Sequence, residues 1–516
     1  MIRSAIVILL FLYSFLGLAQ QSLFSDVLPI IQTHCTPCHQ SGDIGPMPLT
    51  NYDEISAFGQ MIKYVTGIRY MPPYLPSGEH GYFVEERRLS IKELAAIDNW
   101  VTEGMPRDTV QSILRQIDQL TPAFAADAEF ALSDSFEHYG VYYDQYRVFI
   151  VPTNLPTDTF ISAIEFIPGN HEIVRNAYIS VAVDSGYKYW DQWDPGIGYF
   201  SFGEIGFVPF ESRWYTWHPQ KPADVLSANQ VKFLPKGSQL IFHIHYGPSN
   251  KKQKDLSRIR LKFETNRSQN VIKTTPLIHP TIYTQKRSSI AANEKIKIHA
   301  RFDVPHQIQL LGIMPHAHFL CRDWDIFIKH ADNSKITSLL KIDDWDFKWR
   351  QMYHLDQPIL LNKGDEIHVM AAYDNTLDNP LNPSDPPRAM EWGKRMFEEM
   401  MMVFMEYIES PPVDDSPLHV SKNSSLVSRQ SRQFRIDVDS ASTISASLYT
   451  TKKEKIKDFF KKKYFEVGPH EFALDLIDVS HGNFVIIFHD EKGRILAHHL
   501  MAYVADEDFG AYQSRK

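Results

Sequence analysis

Cys35, Cys38 and His39 stand in the spacing C-x-x-C-H within "IQTHCTPCHQSGDIGP". Two thiols so spaced can each form a thioether to a haem vinyl group, and the adjacent imidazole can ligate the iron from one side. The rival reading, a thioredoxin-like redox pair, expects a βαβ context, and the flanks here read as short helices and loops. The second axial ligand should be a thioether or imidazole from a segment that folds back over the haem. Met47, Met61 and Met71 are the candidates, and Met71 in "RYMPPY" is preferred. The two prolines after it stop a helix and hold the residue in an extended loop.

Three further places could carry metal chemistry. In "IMPHAHFLCRD", His316 and His318 are two apart, which on a strand puts both imidazoles on one face, close enough to share an ion. Taken alone, such an alternation also describes a solvated strand face. In "MFEEMMMVFMEY", Met400 follows two acids and opens an apolar strand, where a core methionine is the plain alternative. In "FHIHYGPSN", His243 and His245 repeat the strand spacing.

The elements that must position these groups follow from pattern and composition. A chain of 516 residues exceeds one core, and 13% aromatic residues with 31 Pro and 24 Gly lean towards β-rich domains joined by turns. "LSIKELAAIDNWVTEGMPRD" has a serine cap, helical apolar spacing and a Gly-x-Pro stop, so it should close a small α domain near Asp108. From about residue 147 to 409, segments such as "YRVFIVPT", "QLIFHIHYGP" and "EIHVMAAYD" read as short strands. "ETNRSQNVIKTTPLIHP" is the expected seam between two β domains. In the tail, "TTKKEKIKDFF" reads as a lysine-rich helix with a solvated face, followed by three strands of a small β unit.

The net charge of −9 argues against non-specific nucleic-acid binding, which needs a basic excess. The opening "MIRSAIVILLFLYSFLGLAQQ" has a basic residue, an apolar run and Gly17-Leu18-Ala19, as a secretory signal does. The run is shorter than the roughly 20 residues that span a bilayer. The mature chain is therefore expected outside the cytoplasm, periplasmic or extracellular, with no transmembrane segment. Of three cysteines only Cys321 lies outside C-x-x-C-H, so a haem leaves no disulfide to form.

The front segments "HCTPCHQSGDIGPMPLTNYDEI", "RYMPPYLP" and "RRLSIKELAAIDNWVTEGMP" resemble small cytochrome c modules fused to copper monooxygenase-like domains in secreted bacterial proteins. Downstream, "LLGIMPHAHFLCRD", "WDFKWRQMYHL", "YDNTLDNPLNP" and "WGKRMFEEMM" follow the order and spacing of the C-terminal half of the ascorbate-dependent type II copper monooxygenases. These are the relatives of peptidylglycine α-hydroxylating and dopamine β-monooxygenase. The resemblance implies two jelly-roll domains, each with a copper, facing one another across a solvent-filled cleft. It matches His316, His318 and Met400 to the copper that activates oxygen, and a soft donor set of two imidazoles and a thioether suits Cu(I).

The resemblance matches His245 to one ligand of the second copper. Where the family's adjacent His-His pair is expected, this chain has Arg175 and Asn176, and a guanidinium cannot ligate a cation. A set rebuilt from His171, His243 and His245 is the alternative. The pair His498-His499 cannot substitute, because neighbours on a strand face opposite ways, and surface histidines are expected there.

The expected architecture is multidomain. A signal peptide (1–19) precedes a small all-α cytochrome c domain (20–108). Two β jelly-roll domains (127–268 and 275–410) follow, then a small C-terminal β unit (430–516) that loosely resembles an export-sorting sandwich. The expected activity is O2-dependent hydroxylation at a mononuclear copper, with haem c passing electrons from an external donor. The substrate, small molecule or peptide, is not legible. A non-catalytic haem and copper electron carrier is the alternative function.

Overall fold

Ser90 caps the helix Ile91–Thr102 in a reciprocal arrangement: its hydroxyl accepts from Glu93 N–H, and the Glu93 carboxylate accepts from Ser90 N–H. Such caps are worth about 1 kcal/mol. Gly104 and Met105 then take positive φ and end the helix. In this computed structural model three more helices, Phe24–His34, Tyr52–Ala57 and Gly59–Gly67, complete the N-terminal bundle. Phe24, Val27, Ile31, Ile55, Ile97 and Trp100 form its core.

The structure describes residues 22–77, 82–84, 86–108, 123–183, 185–201, 204–207, 209–265, 270–278, 289–332, 335–393, 398–409, 418–419, 426–428, 433–438, 440–451, 454–476, 478–480 and 482–504. The expected signal peptide lies outside them. Among the described residues no helix is long and apolar enough to cross a membrane.

The chain divides into two compact units, residues 1–74 with 87–120, and residues 75–86 with 121–516. The first contains the helical bundle. The second is built of mostly antiparallel sheets, with parallel pairings of Asn270–Ile278 to Gln230–Leu234 and of Leu426–Ser428 to Ile495–Val504, and it includes the short segment 75–86, which bridges Ile342 through Pro76 and Leu355 through Phe83.

Within the second unit a five-stranded sheet runs in the order Tyr199–Phe200, Gln145–Pro152, Gln239–Tyr246, Val174–Ala182, Glu211–Trp217. It covers one half of a nine-stranded sheet, enclosing Ile161, Ile164, Trp214, Leu240, Phe242 and Ile259. The nine-stranded sheet does not stop at the expected seam. Strand Asn270–Ile278 lies in that seam and pairs with Gln230–Leu234 on one side and Met402–Glu409 on the other. It continues through Ile308–His316 to Tyr353–Leu361. The two expected β domains therefore share a backbone ladder. A four-stranded sheet, Lys295–Asp303, Glu366–Asp374, Cys321–Lys329 and Ile336–Ile342, completes the C-terminal half.

The tail corrects one expectation. Its lysine-rich segment is no helix: Lys455–Phe465 is a strand, paired with Ser442–Thr450 at the edge of a five-stranded sheet. Edge strands commonly carry lysines, which discourage pairing with another chain. The lysine density that suggests a helix thus has a different cause. The tail core gathers Phe434, Ile436, Leu448, Ile486 and Phe488.

Candidate metal centre

Strands Ile308–His316 and Met402–Glu409 pair with His316 opposite Met402 and Pro315 opposite Val403. Carrying this register two residues further sets His318 across from Met400. The fully buried carboxylate of Glu399 fixes that extension. Its Oε1 accepts from His318 N–H (2.5 Å) and Met400 N–H (2.8 Å), and its Oε2 accepts from Leu320 N–H (2.8 Å). Tyr373 adds a hydroxyl bond to the Met400 carbonyl at 2.7 Å. His316, His318 and Met400 are all 0% exposed, so the alternation is not a solvated strand face.

The two imidazoles lie with ring centroids 5.5 Å apart, edge to face. His318 Nδ1–H donates to the Glu398 carbonyl at 2.7 Å, which leaves the Nε2 lone pair buried and without a hydrogen-bond partner. Burial pushes its pKa down to about 4, so the ring is neutral at pH 7. Burial, with the nearby Arg350 guanidinium, holds His316 well below the usual histidine range. Its Nε2 also lacks a hydrogen bond, although Glu204 Oε1 lies 3.5 Å away. Two neutral imidazoles with unengaged Nε2 atoms, and a thioether in register, fit a soft copper ion.

One contact opposes that fit. Arg350 Nη1 lies 3.3 Å from His316 Nδ1, and a guanidinium can only donate. His316 Nδ1 therefore accepts, and the ring's own proton sits on Nε2. To offer Nε2 to a metal, His316 must move that proton to Nδ1 and the Arg350 contact must open.

Around these residues the expected solvent-filled cleft is closed. Arg213, 1% exposed and at φ +55°, ion-pairs with Glu204 at 2.7 Å and lies over the Tyr178 and Phe404 rings. Arg350 lies over Phe347, and the Tyr178 hydroxyl donates to the Arg350 carbonyl at 3.1 Å. Tyr178 also packs with Met314, Met400 and Phe404. Side chains of the two facing sheets fill the space that the resemblance assigns to solvent.

His243 and His245 project from strand Gln239–Tyr246, whose register places Tyr178 opposite His243 and Asn176 opposite His245. Both nitrogens of His245 are engaged. The Asn176 amide donates to Nδ1 at 3.0 Å, Nε2–H donates to Asp144 at 2.9 Å, and Arg175 sits 3.8 Å from the same carboxylate oxygen. The Tyr146 ring stacks on this imidazole at 4.2 Å. Arg175 and Asn176, which stand where two copper ligands were expected, thus close a polar network around the matched third.

Burial pushes His245 to about 4 and His243 to about 3, the latter helped by Arg213 and Arg350. His243 Nε2 donates to the Ser201 carbonyl at 3.2 Å. His171 lies exposed in the turn before Val174. The ligand atoms of His171, His243 and His245 are not gathered: among the described residues the one such trio of His, Cys, Asp or Glu lies elsewhere.

In the helical unit, a turn of main-chain bonds from Cys38 N and His39 N to Cys35 O sets both thiols on one short arc. His39 Nδ1–H donates to the Met47 carbonyl at 3.1 Å, which orients the ring and leaves Nε2 as the ligating atom. Gly45 is required there, since a Cβ would lie 2.7 Å from His39 Nδ1. Burial and the neighbouring Cys38 push the Cys35 thiol up to about 12, which disfavours the thiolate that disulfide exchange needs. Met47 is tied to the His39 side, and Met61 is 52% exposed, whereas Met71 is half-buried beside the helix end. These residues fit a covalently attached haem.

Arg213, Arg350, Glu204 and Asp144 have no signature in the sequence, since each acts on a histidine distant along the chain. Glu399 adjoins Met400, and that adjacency was its only signal.

No family model matches the chain, and no curated protein matches it in sequence. Among solved structures it is similar to the major capsid protein P2 from Bacteriophage PM2, at 10% identity over 56% of this chain and 98% of that one, with a TM-score of 0.23. PNGF-II is 9% identical over 54% of this chain and 65% of that one, with a TM-score of 0.20. The infectious bursal disease virus VP2 subviral particle is 10% identical over 55% of this chain and 73% of that one, with a TM-score of 0.16. Likeness this slight carries no argument about activity. The class defined by the fold is a mostly β multidomain protein with several antiparallel sheets and a few N-terminal helices.

Proposed function

We propose that this protein is an exported haem- and copper-containing monooxygenase of jelly-roll architecture, resembling the type II copper enzymes. The observation that carries the reading is that Glu399 ties the main chains of His318 and Met400 together beside His316 at one ladder end, with the two imidazole Nε2 atoms buried and free of hydrogen bonds. When bound there, copper would supply O2 activation for hydroxylation, R–H + O2 + 2 e⁻ + 2 H⁺ giving R–OH and H2O. A haem on Cys35, Cys38 and His39, with Met71 as second ligand, would pass those electrons singly from an external donor.

The chain's own residues divide the remaining work. Glu399 fixes the main chain of His318 and Met400. The Glu398 carbonyl sets the His318 tautomer. Arg350 holds His316 neutral and engages its Nδ1 until a metal is loaded. With His245 engaged on both nitrogens, one copper is the expected complement, and the haem takes the place of the second as electron relay.

A second reading is a non-catalytic haem and copper carrier, favoured by the closed cleft and the Arg350 contact. Oxygen uptake distinguishes the two. Full-length protein, matured with haem and loaded with copper, is reduced at the haem and exposed to O2. The monooxygenase reading expects O2 consumption that the Met400→Ala change lowers at least tenfold. Equal, slow haem reoxidation in both proteins would leave only the carrier.

A further inference from the structure

His306, Glu409 and His498 come from three distant parts of the chain, and none belongs to the centre described above. His306 lies two residues before Ile308, which pairs with Glu409 across the ladder. His498 lies on the tail strand Ile495–Val504. One ligand atom from each residue falls within 4.8 Å of the other two, and all three residues are half-buried.

His306 Nε2 and Glu409 Oε1 lie 3.3 Å apart as an ion pair, and both atoms are buried. That separation equals the edge of a tetrahedron with metal–ligand bonds of about 2 Å, about 3.3 Å. The His306 and His498 rings lie with centroids 3.6 Å apart. The other Glu409 oxygen accepts from Lys273 Nζ.

We propose that His306, Glu409 and His498 bind a divalent transition-metal ion of the zinc class, and that the ion fastens the C-terminal sheet to the nine-stranded sheet. Two imidazoles and one carboxylate are a borderline donor set suited to Zn2+, with a fourth position left for water. The tail already touches that sheet nearby: Asn483 accepts from Ile278 N–H at 3.2 Å and donates to the Pro276 carbonyl at 3.0 Å. A metal between His498 and the other two ligands would add a bond to these hydrogen bonds and to the buried cluster that Ala502 of the tail forms with Ile278, Met314 and Met402. His499, on the opposite face of the same strand, packs against Phe434 inside the tail and takes no part.

The probe is Zn2+ itself, with the full-length haem-loaded protein dialysed against micromolar free zinc. Zinc per chain should fall by one in His306→Ala and in His498→Ala, and should not fall by that amount in Lys273→Met. Unchanged zinc content in the two histidine variants, shown to be folded by circular dichroism, would overturn the proposal. A second measurement needs no variant: zinc should slow amide exchange across residues 495–504 of the wild-type protein at least tenfold, and unaltered exchange would equally overturn it.

Discussion

Replacing Arg350 by methionine tests how strongly a buried guanidinium restrains the copper centre. Methionine keeps a long side chain against Phe347 while removing the charge. Arg350 Nη1 is 3.3 Å from His316 Nδ1. A metal on the far nitrogen of that ring, with a bond of about 2 Å, would stand roughly 7 Å from the guanidinium. At an effective dielectric constant of ~20, two unit charges at that distance repel by about 2.4 kcal/mol, or roughly 50-fold in affinity. The change also frees His316 Nδ1 to take the ring proton, which directs the Nε2 lone pair outward. Competition against a chromophoric Cu(I) chelator should therefore show R350M binding Cu(I) roughly 50-fold more tightly than wild type, with R350K near wild type. Unchanged or weaker binding by a folded R350M would refute the assignment of Arg350 as a restraint, and with it the electrostatic picture of the site.

Three other outcomes follow from the same geometry. Introducing paired histidines in an R175H/N176H variant dismantles the network around His245 and should add one bound copper per chain; elemental analysis showing no increase would show that residue identity alone does not rebuild the site. Burial pushes the Glu211 carboxyl up to about 7 from an ordinary value of 4.5, so its stabilising contribution is complete below pH 4.5 and lost as pH rises through 7. Relative to E211Q, wild type should lose about 3 kcal/mol between those values in denaturant titrations followed by tryptophan fluorescence, and a constant difference would contradict the shift. Lys232, 2% exposed, pairs with Glu406 at 2.5 Å, so K232M leaves a buried carboxylate with His354 as its remaining partner. The expected cost is about 3 kcal/mol, lowering the melting temperature by roughly 6–12 °C, and a drop below about 2 °C would contradict it.

Local chemistry was legible in the sequence where one segment carries the whole signal. The Ser90 cap and the Gly104 stop mark the helix Ile91–Thr102 because capping is settled within a few residues. The strand spacing of His316 and His318 is likewise local, and the alternation of His498 and His499 sets them on opposite faces. Their burial was not legible. Surface histidines were expected at the end of the chain, but His499 is 0% exposed and His498 packs against His306, because the tail contacts a ladder whose partners lie far back in sequence. The closed cleft was hidden for the same reason: Arg213 and Arg350 meet the histidines only after two sheets pack face to face. Lys455–Phe465 shows the reverse error, since lysine suits both a helix surface and a sheet edge, and pairing alone decides between them.

The central claim is that His316, His318 and Met400 together hold one copper ion. Copper per haem, measured by elemental analysis and electron paramagnetic resonance on full-length protein given excess copper and then desalted, tests it most directly. In a His498→Ala background, which removes the separate His306–Glu409–His498 site, the account predicts one copper per haem, and essentially none once His318→Ala or Met400→Ala is added. A protein that returns from desalting without copper, or one whose copper survives both substitutions, contradicts it.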